Sequence, residues 1–252
     1  MNAVAEIFRA GGAEPVESAD DGSLIADLER RIGRSLPGIF RQLLSLANGE
    51  GLLGRFSRCD DPIPFRDLGR IRPVHWGFYD PIEQGILPFM IENQGVCTWA
   101  LPLDQGDDPP VLIEVDSHGT PEWDRLADSF SLWLECQVWD FAAEPKAAFG
   151  AQAPGLEAAD LAMLRRSFTE GHTTYAWPGD HNYRFSNARS KPLLWSQEGA
   201  ACDWFISPQP GASVQEVLDE LAGISGLVEA IYGLGDEHDA FLRKWKAGVA
   251  AD

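Results

Sequence analysis

The strand-like runs of this chain are grouped between helical segments instead of alternating with them. Residues 86–91, 96–103 and 111–116 are apolar runs, and the turn compositions of residues 93–95 and 104–110 separate them. Short strands joined by short turns are typical of an antiparallel meander. A second group of strand-like runs follows residue 156, again between helical patterns. This order predicts an α+β fold, with a mainly antiparallel sheet flanked by helices and a second, smaller α+β module at the C-terminus.

Helical periodicity lies on both sides of the first group of strands. Residues 23–32 and 37–47 carry apolar positions at helical spacing, and Gly33 and the pair at 48–49 suit the ends of these helices. A third helix is predicted from about residue 126 to 143, with Asp124 or Asp128 as its cap.

Changes in composition along the chain suggest where its domains begin and end. Residues 1–22 contain glycine, proline and several acids, and we expect a loosely ordered lead-in there. Residues 23–143 are predicted to form the first domain, and residues 156–252 the C-terminal module. The Ala-, Gly- and Pro-rich residues 144–155 between them are interpreted as a domain boundary or hinge.

The charge of the chain excludes several classes of partner. It has 39 acids against 20 bases and a formal net charge of −19. Nucleic-acid affinity comes mostly from Lys and Arg contacts to phosphate, so we expect no direct nucleic-acid binding and no binding to anionic membranes. No apolar run approaches the roughly 18 residues of a membrane span, and no signal peptide is evident, so we expect a cytoplasmic protein.

No motif in the sequence indicates catalysis. Phosphate-binding, dinucleotide-binding, zinc-protease and nucleophile-elbow patterns are absent, and the four cysteines (Cys59, Cys97, Cys136, Cys202) form no C-x-x-C pair. The histidines lack the spacing that places two metal ligands on one helix face. We therefore predict structural thiols and no catalytic residue, cofactor or metal. A hydrolase that uses paired carboxylates or His181 is the least favoured alternative.

One acidic segment stands out as a candidate partner-binding surface. Residues 73–124 contain ten acids and neither Lys nor Arg. If the turns at 104–108 and 116–124 lie near one another at the edge of the sheet, they concentrate negative potential that attracts a basic partner. Aromatic side chains in the Pro-rich connection add possible interface anchors. The candidate partner-binding residues are Trp76, Tyr79, Asp80, Glu83, Asp104, Asp107, Asp108 and Asp116.

Residues 22–143 resemble the SUKH superfamily, which includes cell-wall-assembly regulators of Smi/Knr type. The resemblance is carried by the order and spacing of short apolar and turn segments at residues 28–33, 36–49, 86–89, 96–101, 111–116 and 126–134. It implies an α+β domain with N-terminal helices, a mainly antiparallel sheet and a following helix, and it implies no catalysis.

The resemblance also implies a function. Bacterial proteins similar to this one are largely immunity proteins that bind and neutralise a toxin domain, often a nuclease. We therefore expect a non-enzymatic immunity protein whose acidic surface binds a basic toxin. A general protein-interaction or scaffolding regulator of Smi/Knr type is the alternative, and the oligomeric state stays open.

Overall fold

Two sheets, each with its own apolar core, organise the chain. The computed structural model describes residues 2–19, 22–57, 60–70, 79–116, 121–143, 147–153, 156–175, 180–196, 202–224 and 226–249. Residues 1–141 form one compact unit and residues 142–252 form a second. The α+β fold with antiparallel sheets is confirmed.

The first unit consists of helices around a five-stranded antiparallel sheet. Its elements are α1 (Ala3–Ala10), α2 (Ser23–Ile32), α3 (Gly38–Leu44), α4 (Gly49–Arg55), β1 (Asp60–Pro62), a 3-10 turn (Phe65–Asp67), β2 (Ile86–Glu92), β3 (Thr98–Pro102), β4 (Val111–Asp116), β5 (Glu122–Ala127) and α5 (Phe130–Ala143). The strand order is β1-β2-β3-β4-β5, so each strand pairs with its neighbours along the chain. The meander predicted from the three apolar runs forms its centre.

The expectation of a loosely ordered lead-in at residues 1–22 is wrong. Residues 3–10 form α1, in which Val4 and Phe8 are fully buried in the first core. The Asn2 side chain caps this helix, because its Oδ1 accepts a hydrogen bond from the Ala5 N–H at 3.0 Å. Its Nδ2 also donates to the carbonyl of Gln42 in α3 at 3.0 Å. Apolar side chains at helical spacing outweigh the neighbouring glycines here, because they can be buried.

Four aromatic side chains form the centre of the first core. Phe40 of α3, Phe89 of β2, and Phe130 and Trp133 of α5 are each at most 2% exposed. The centroid of Phe130 lies 5.6 Å from those of Phe40 and Phe89, and both pairs meet edge to face. This geometry is favourable for aromatic pairs beyond the area they bury. The cluster therefore ties two helices to the central part of the sheet.

Two local predictions in the first unit are corrected. Residue 49 does not end a long helix but begins α4, where a Cβ on Gly49 would lie 2.5 Å from the Leu43 carbonyl oxygen. Helix α5 begins at Phe130 instead of near residue 126, because residues 122–127 form β5. Its first turn is capped by Ser129, whose Oγ accepts the Leu132 N–H at 3.1 Å, and not by Asp124 or Asp128.

The second unit packs helices against another antiparallel sheet. Its elements are β6 (Phe149–Ala153), α6 (Ala158–Ser167), β7 (Thr169–Glu170), β8 (Thr174–Tyr175), β9 (His181–Ser186), β10 (Ser190–Ser196), β11 (Cys202–Pro208), α7 (Val214–Leu221), α8 (Leu227–Ala230), β12 (Ile231–Gly233) and α9 (Asp236–Val249). The strand order is β12-β6-β11-β10-β9-β7, and β8 also pairs with β9.

The interpretation of residues 144–155 as a domain boundary or hinge is corrected in part, because the two units divide between residues 141 and 142 and residues 149–153 form β6. This strand lies inside the second sheet, between β11 and β12. Phe149, Ala151 and Ala153 alternate along it, and each is at most 2% exposed, facing the second core. The Ala- and Gly-rich composition that suggested a linker instead provides small side chains on a buried strand.

Candidate functional site

The two acidic turns of the sequence lie at opposite ends of the first sheet. Consecutive turns of an antiparallel meander lie at opposite ends of the strand they share, and here that strand is β4. The six residues of β4 separate the turns by about 17 Å at 3.4 Å per residue. The prediction that the turns at 104–108 and 116–124 lie near one another is therefore wrong.

The loop between β3 and β4 caps two helices. The Asp107 carbonyl accepts the Ile39 N–H of α3 at 2.9 Å, and the Pro109 carbonyl accepts the Phe130 N–H of α5 at 2.7 Å. The Asp108 carboxylate accepts hydrogen bonds from both the N–H and the hydroxyl of Ser131 in the first turn of α5. Two of the candidate partner-binding residues thus stabilise helix N-termini.

Replacing Asp108 by alanine is expected to destabilise the protein by about 1 kcal/mol, the typical cost of losing a side-chain helix cap. Chemical denaturation monitored by circular dichroism measures this change. The matched control is Asp104→Ala in the same exposed loop, which is expected to change the stability by less than about 0.5 kcal/mol. Equal stability of the two variants would contradict the capping role of Asp108.

Other predicted residues lie at this same end, the loop end of the sheet. The Leu103 N–H donates to the Gly85 carbonyl at 2.7 Å, which joins the end of β3 to the segment before β2. In that segment Glu83 is exposed, whereas Tyr79 and Asp80 are half-buried. The carboxylate of Asp80 accepts the Ile82 N–H at 3.0 Å. Trp76 lies outside the described residues.

Carboxylates from four strands lie at the end of the sheet opposite the loop end. We call this the acidic end. The strand ladders place Asp60 opposite Glu92, Asp116 opposite Glu122, and Asp124 opposite Ile113. With strands about 4.8 Å apart, the five strands span roughly 19 Å. The residues of the acidic end are Asp60, Asp61, Glu92, Glu114, Glu122 and Asp124, with Asp116 at the end of β4; the side chain of Asp116 is outside the described part.

Among the side chains that the structure describes at the acidic end, three carboxylates are exposed, and we call Asp61, Glu122 and Asp124 the exposed trio. Within the described ranges, none of the three carboxylates forms an ion pair or a hydrogen bond. Arg125 of β5 pairs instead with Asp128 at 3.4 Å. The negative charge of the exposed trio is therefore available to a partner.

A buried thiol responds to the charge of the acidic end. Burial, together with the smaller effect of the negative charges of Asp60, Glu92 and Glu114, raises the pKa of Cys97 to about 12. In the second unit, burial likewise raises the pKa of Cys202 to about 12. These two thiols and Cys136 are buried, which confirms them as structural side chains; Cys59 lies outside the described residues.

His181 lies at the start of β9 between two tyrosines. Its ring centroid is 5.4 Å from that of Tyr175 and 6.1 Å from that of Tyr183. Throughout the part of the chain that the structure describes, no three His, Cys, Asp or Glu side chains are grouped closely enough to hold a metal ion. Among the same residues, no helix has both the length and the apolar character required to cross a membrane.

The first unit is thus an acidic α+β domain with N-terminal helices, an antiparallel meander and a closing helix. Residues 21–136 of this unit match the model of the SMI1 / KNR4 family (SUKH-1). The match confirms the resemblance found from the apolar and turn segments. Neither the curated proteins nor the solved structures include a match to the chain.

Sequence reasoning missed part of the acidic end. Asp60 and Asp61 belong to β1, which lies in a Pro-rich connection without strand periodicity. Only the pairing of β1 with β2, about thirty residues later, brings them beside Glu92. In the sequence, Asp124 is one of the ten acids of residues 73–124, but its position favours a helix cap. An apolar–polar alternation is too weak in β5 to identify it as a strand.

Proposed function

We propose that this chain is an immunity protein that binds a basic toxin and neutralises it without catalysing a reaction. The match to the SUKH-1 family supports a protein partner, because members of this family are commonly toxin-immunity proteins. The chain's net charge of −19 supports a partner of opposite charge. The proposal assigns binding to the first unit.

The exposed trio is the observation that carries the proposal. Its carboxylates lie at one end of the first sheet, Asp61 on β1 and Glu122 and Asp124 on β5, and no described cation neutralises them. A nuclease holds phosphate with Lys and Arg side chains, so a fixed array of carboxylates competes for the same cations. The immunity protein then inhibits the toxin simply by covering its cationic surface.

Electrostatic attraction of this kind acts mainly on the association rate and weakens as salt is added. The test uses the toxin encoded beside this chain's gene as the partner. The exposed trio is replaced by neutral side chains of similar shape, Asp61→Asn, Glu122→Gln and Asp124→Asn. We expect the association rate, measured by stopped-flow mixing at low salt, to fall about 10- to 100-fold.

The matched control neutralises three exposed acids at the loop end, Glu83→Gln, Asp104→Asn and Asp107→Asn. This variant has the same net charge as the first one, so any difference between them reflects location and not total charge. We expect its association rate to fall less than about threefold. An equal or larger fall in the control would place the binding surface at the loop end and overturn the assignment to the acidic end.

Capture experiments separate immunity from general scaffolding. An immunity protein is expected to retain one tight partner and to protect cells from it, whereas a scaffolding regulator retains several weak partners. Failure to bind or inhibit the adjacent toxin would exclude the immunity function.

A further inference from the structure

The two sheets have four edges in the described chain, and three of them are blocked against a further strand. An open edge presents unpaired N–H and C=O groups that can pair with another chain. At the β1 edge, the Asp60 carbonyl accepts the Ser57 hydroxyl at 2.6 Å, and Pro62 has no N–H to donate. A three-residue strand protected in this way cannot extend a ladder.

The edges of the second sheet are also protected. At β12, Lys246 of α9 donates to the Ile231 carbonyl at 2.9 Å, and Asp239 accepts the Gly233 N–H at 3.0 Å. At the other edge, β9 pairs with two strands of two residues each, β7 and β8, in place of one continuous strand. Short or interrupted edges are poor templates for strand addition.

The edge formed by β5 differs from the other three. It is six residues long and is the last strand of its sheet in the described part of the chain. Apart from the ladder with β4, no hydrogen bond in that part reaches the backbone of Glu122, Asp124 or Arg125. Successive residues of a strand direct their N–H and C=O groups to opposite edges, so the part of this backbone that faces away from β4 is available for pairing.

The charges on β5 determine which strand fits. Glu122 and Asp124 are two positions apart, so they lie on one face of the strand, about 7 Å from each other. Arg125 is already paired with Asp128. A second copy of β5 would bring two sets of carboxylates together, and like charges on facing strands are destabilising.

We propose that the basic partner adds an extended segment to β5, with Lys or Arg at alternate positions facing Glu122 and Asp124. This inference rests on the proposed function, because it specifies how the toxin engages the acidic end. Backbone hydrogen bonds along β5 supply affinity in this mode, and the alternating charges supply specificity. Cross-strand pairs of opposite charge stabilise such a pairing.

The test uses three synthetic eight-residue peptides as probes. One alternates Lys and Val, one alternates Lys and Pro, and one alternates Glu and Val. The first two have equal charge, but proline lacks the N–H that a ladder needs. Amide chemical shifts and solvent exchange of the full chain are measured by NMR. We expect the Lys–Val peptide to shift the amides of β5 and slow their exchange at least threefold, and the other two peptides to leave their exchange unchanged.

A charge-swapped chain tests the specificity. The double variant Glu122→Lys with Asp124→Lys is expected to reverse the preference, so that the Glu–Val peptide binds β5 and the Lys–Val peptide does not. The matched control, Glu83→Lys with Asp104→Lys at the loop end, is expected to keep the original preference.

Two results would overturn strand addition: equal responses to the Lys–Val and Lys–Pro peptides, or shifts centred on any strand other than β5. Either result leaves the toxin experiment unaffected, because the peptides report on β5 without the toxin. Conversely, a toxin that does not bind, together with β5-specific peptide binding, would reject the immunity function while the strand site itself remains.

Discussion

Deleting residues 1–12 is expected to unfold the first unit. The deletion removes Val4, Ile7 and Phe8, which are at most 9% exposed, and the Asn2 contacts to α3. At about 1.5–3 kcal/mol for each buried side chain, the loss is roughly 5–9 kcal/mol. A whole domain is typically stable by only about 5–15 kcal/mol. Hydrogen exchange of the β2 and β3 amides, compared with those of β10 and β11, measures the effect on each unit.

The control for this deletion leaves α1 in place and removes only a surface contact. Glu6 and Arg9 form an exposed ion pair at 2.6 Å on α1, and such pairs contribute little. The double variant Glu6→Ala with Arg9→Ala is expected to change the stability by less than about 1 kcal/mol. If the shortened chain retains native exchange rates in β2 and β3, α1 is not part of the first core.

Replacing Phe130 by alanine is expected to destabilise the first unit by about 3–5 kcal/mol, because it leaves a cavity among Phe40, Phe89 and Trp133. Urea denaturation followed by tryptophan fluorescence measures the change. Tyr175→Ala is the matched aromatic control, since Tyr175 is 49% exposed at an edge of the second sheet. We expect its cost to stay near or below 1 kcal/mol, and similar costs for both variants would contradict a central role of Phe130.

The elements with strong local periodicity could be predicted from the sequence. Helices α2 and α3 and strands β2, β3 and β4 follow apolar patterns that match their burial. Strands β1, β5 and β6 could not be predicted in this way, because their stability comes from pairing with distant strands. β-propensity depends on such context more than helix propensity does.

The candidate site, like the fold, could be predicted from the sequence only in part. An excess of acids in residues 73–124 is visible in the sequence, but their grouping depends on strand register. Register places Asp124 at one end of the sheet and Asp108 at the other, where Asp108 caps α5. A count of carboxylates cannot separate a capping acid from an exposed one, because both occur in turn-like composition.

The position of Cys97 has a consequence for how the acidic end can be observed. Its thiol is buried inside the domain, yet its pKa rises with the negative charge of Asp60, Glu92 and Glu114. Any cation that settles on that end favours the thiolate and moves this pKa back down. The buried thiol of Cys97 therefore lies within the electrostatic influence of carboxylates at the acidic end, although no external partner can touch it directly.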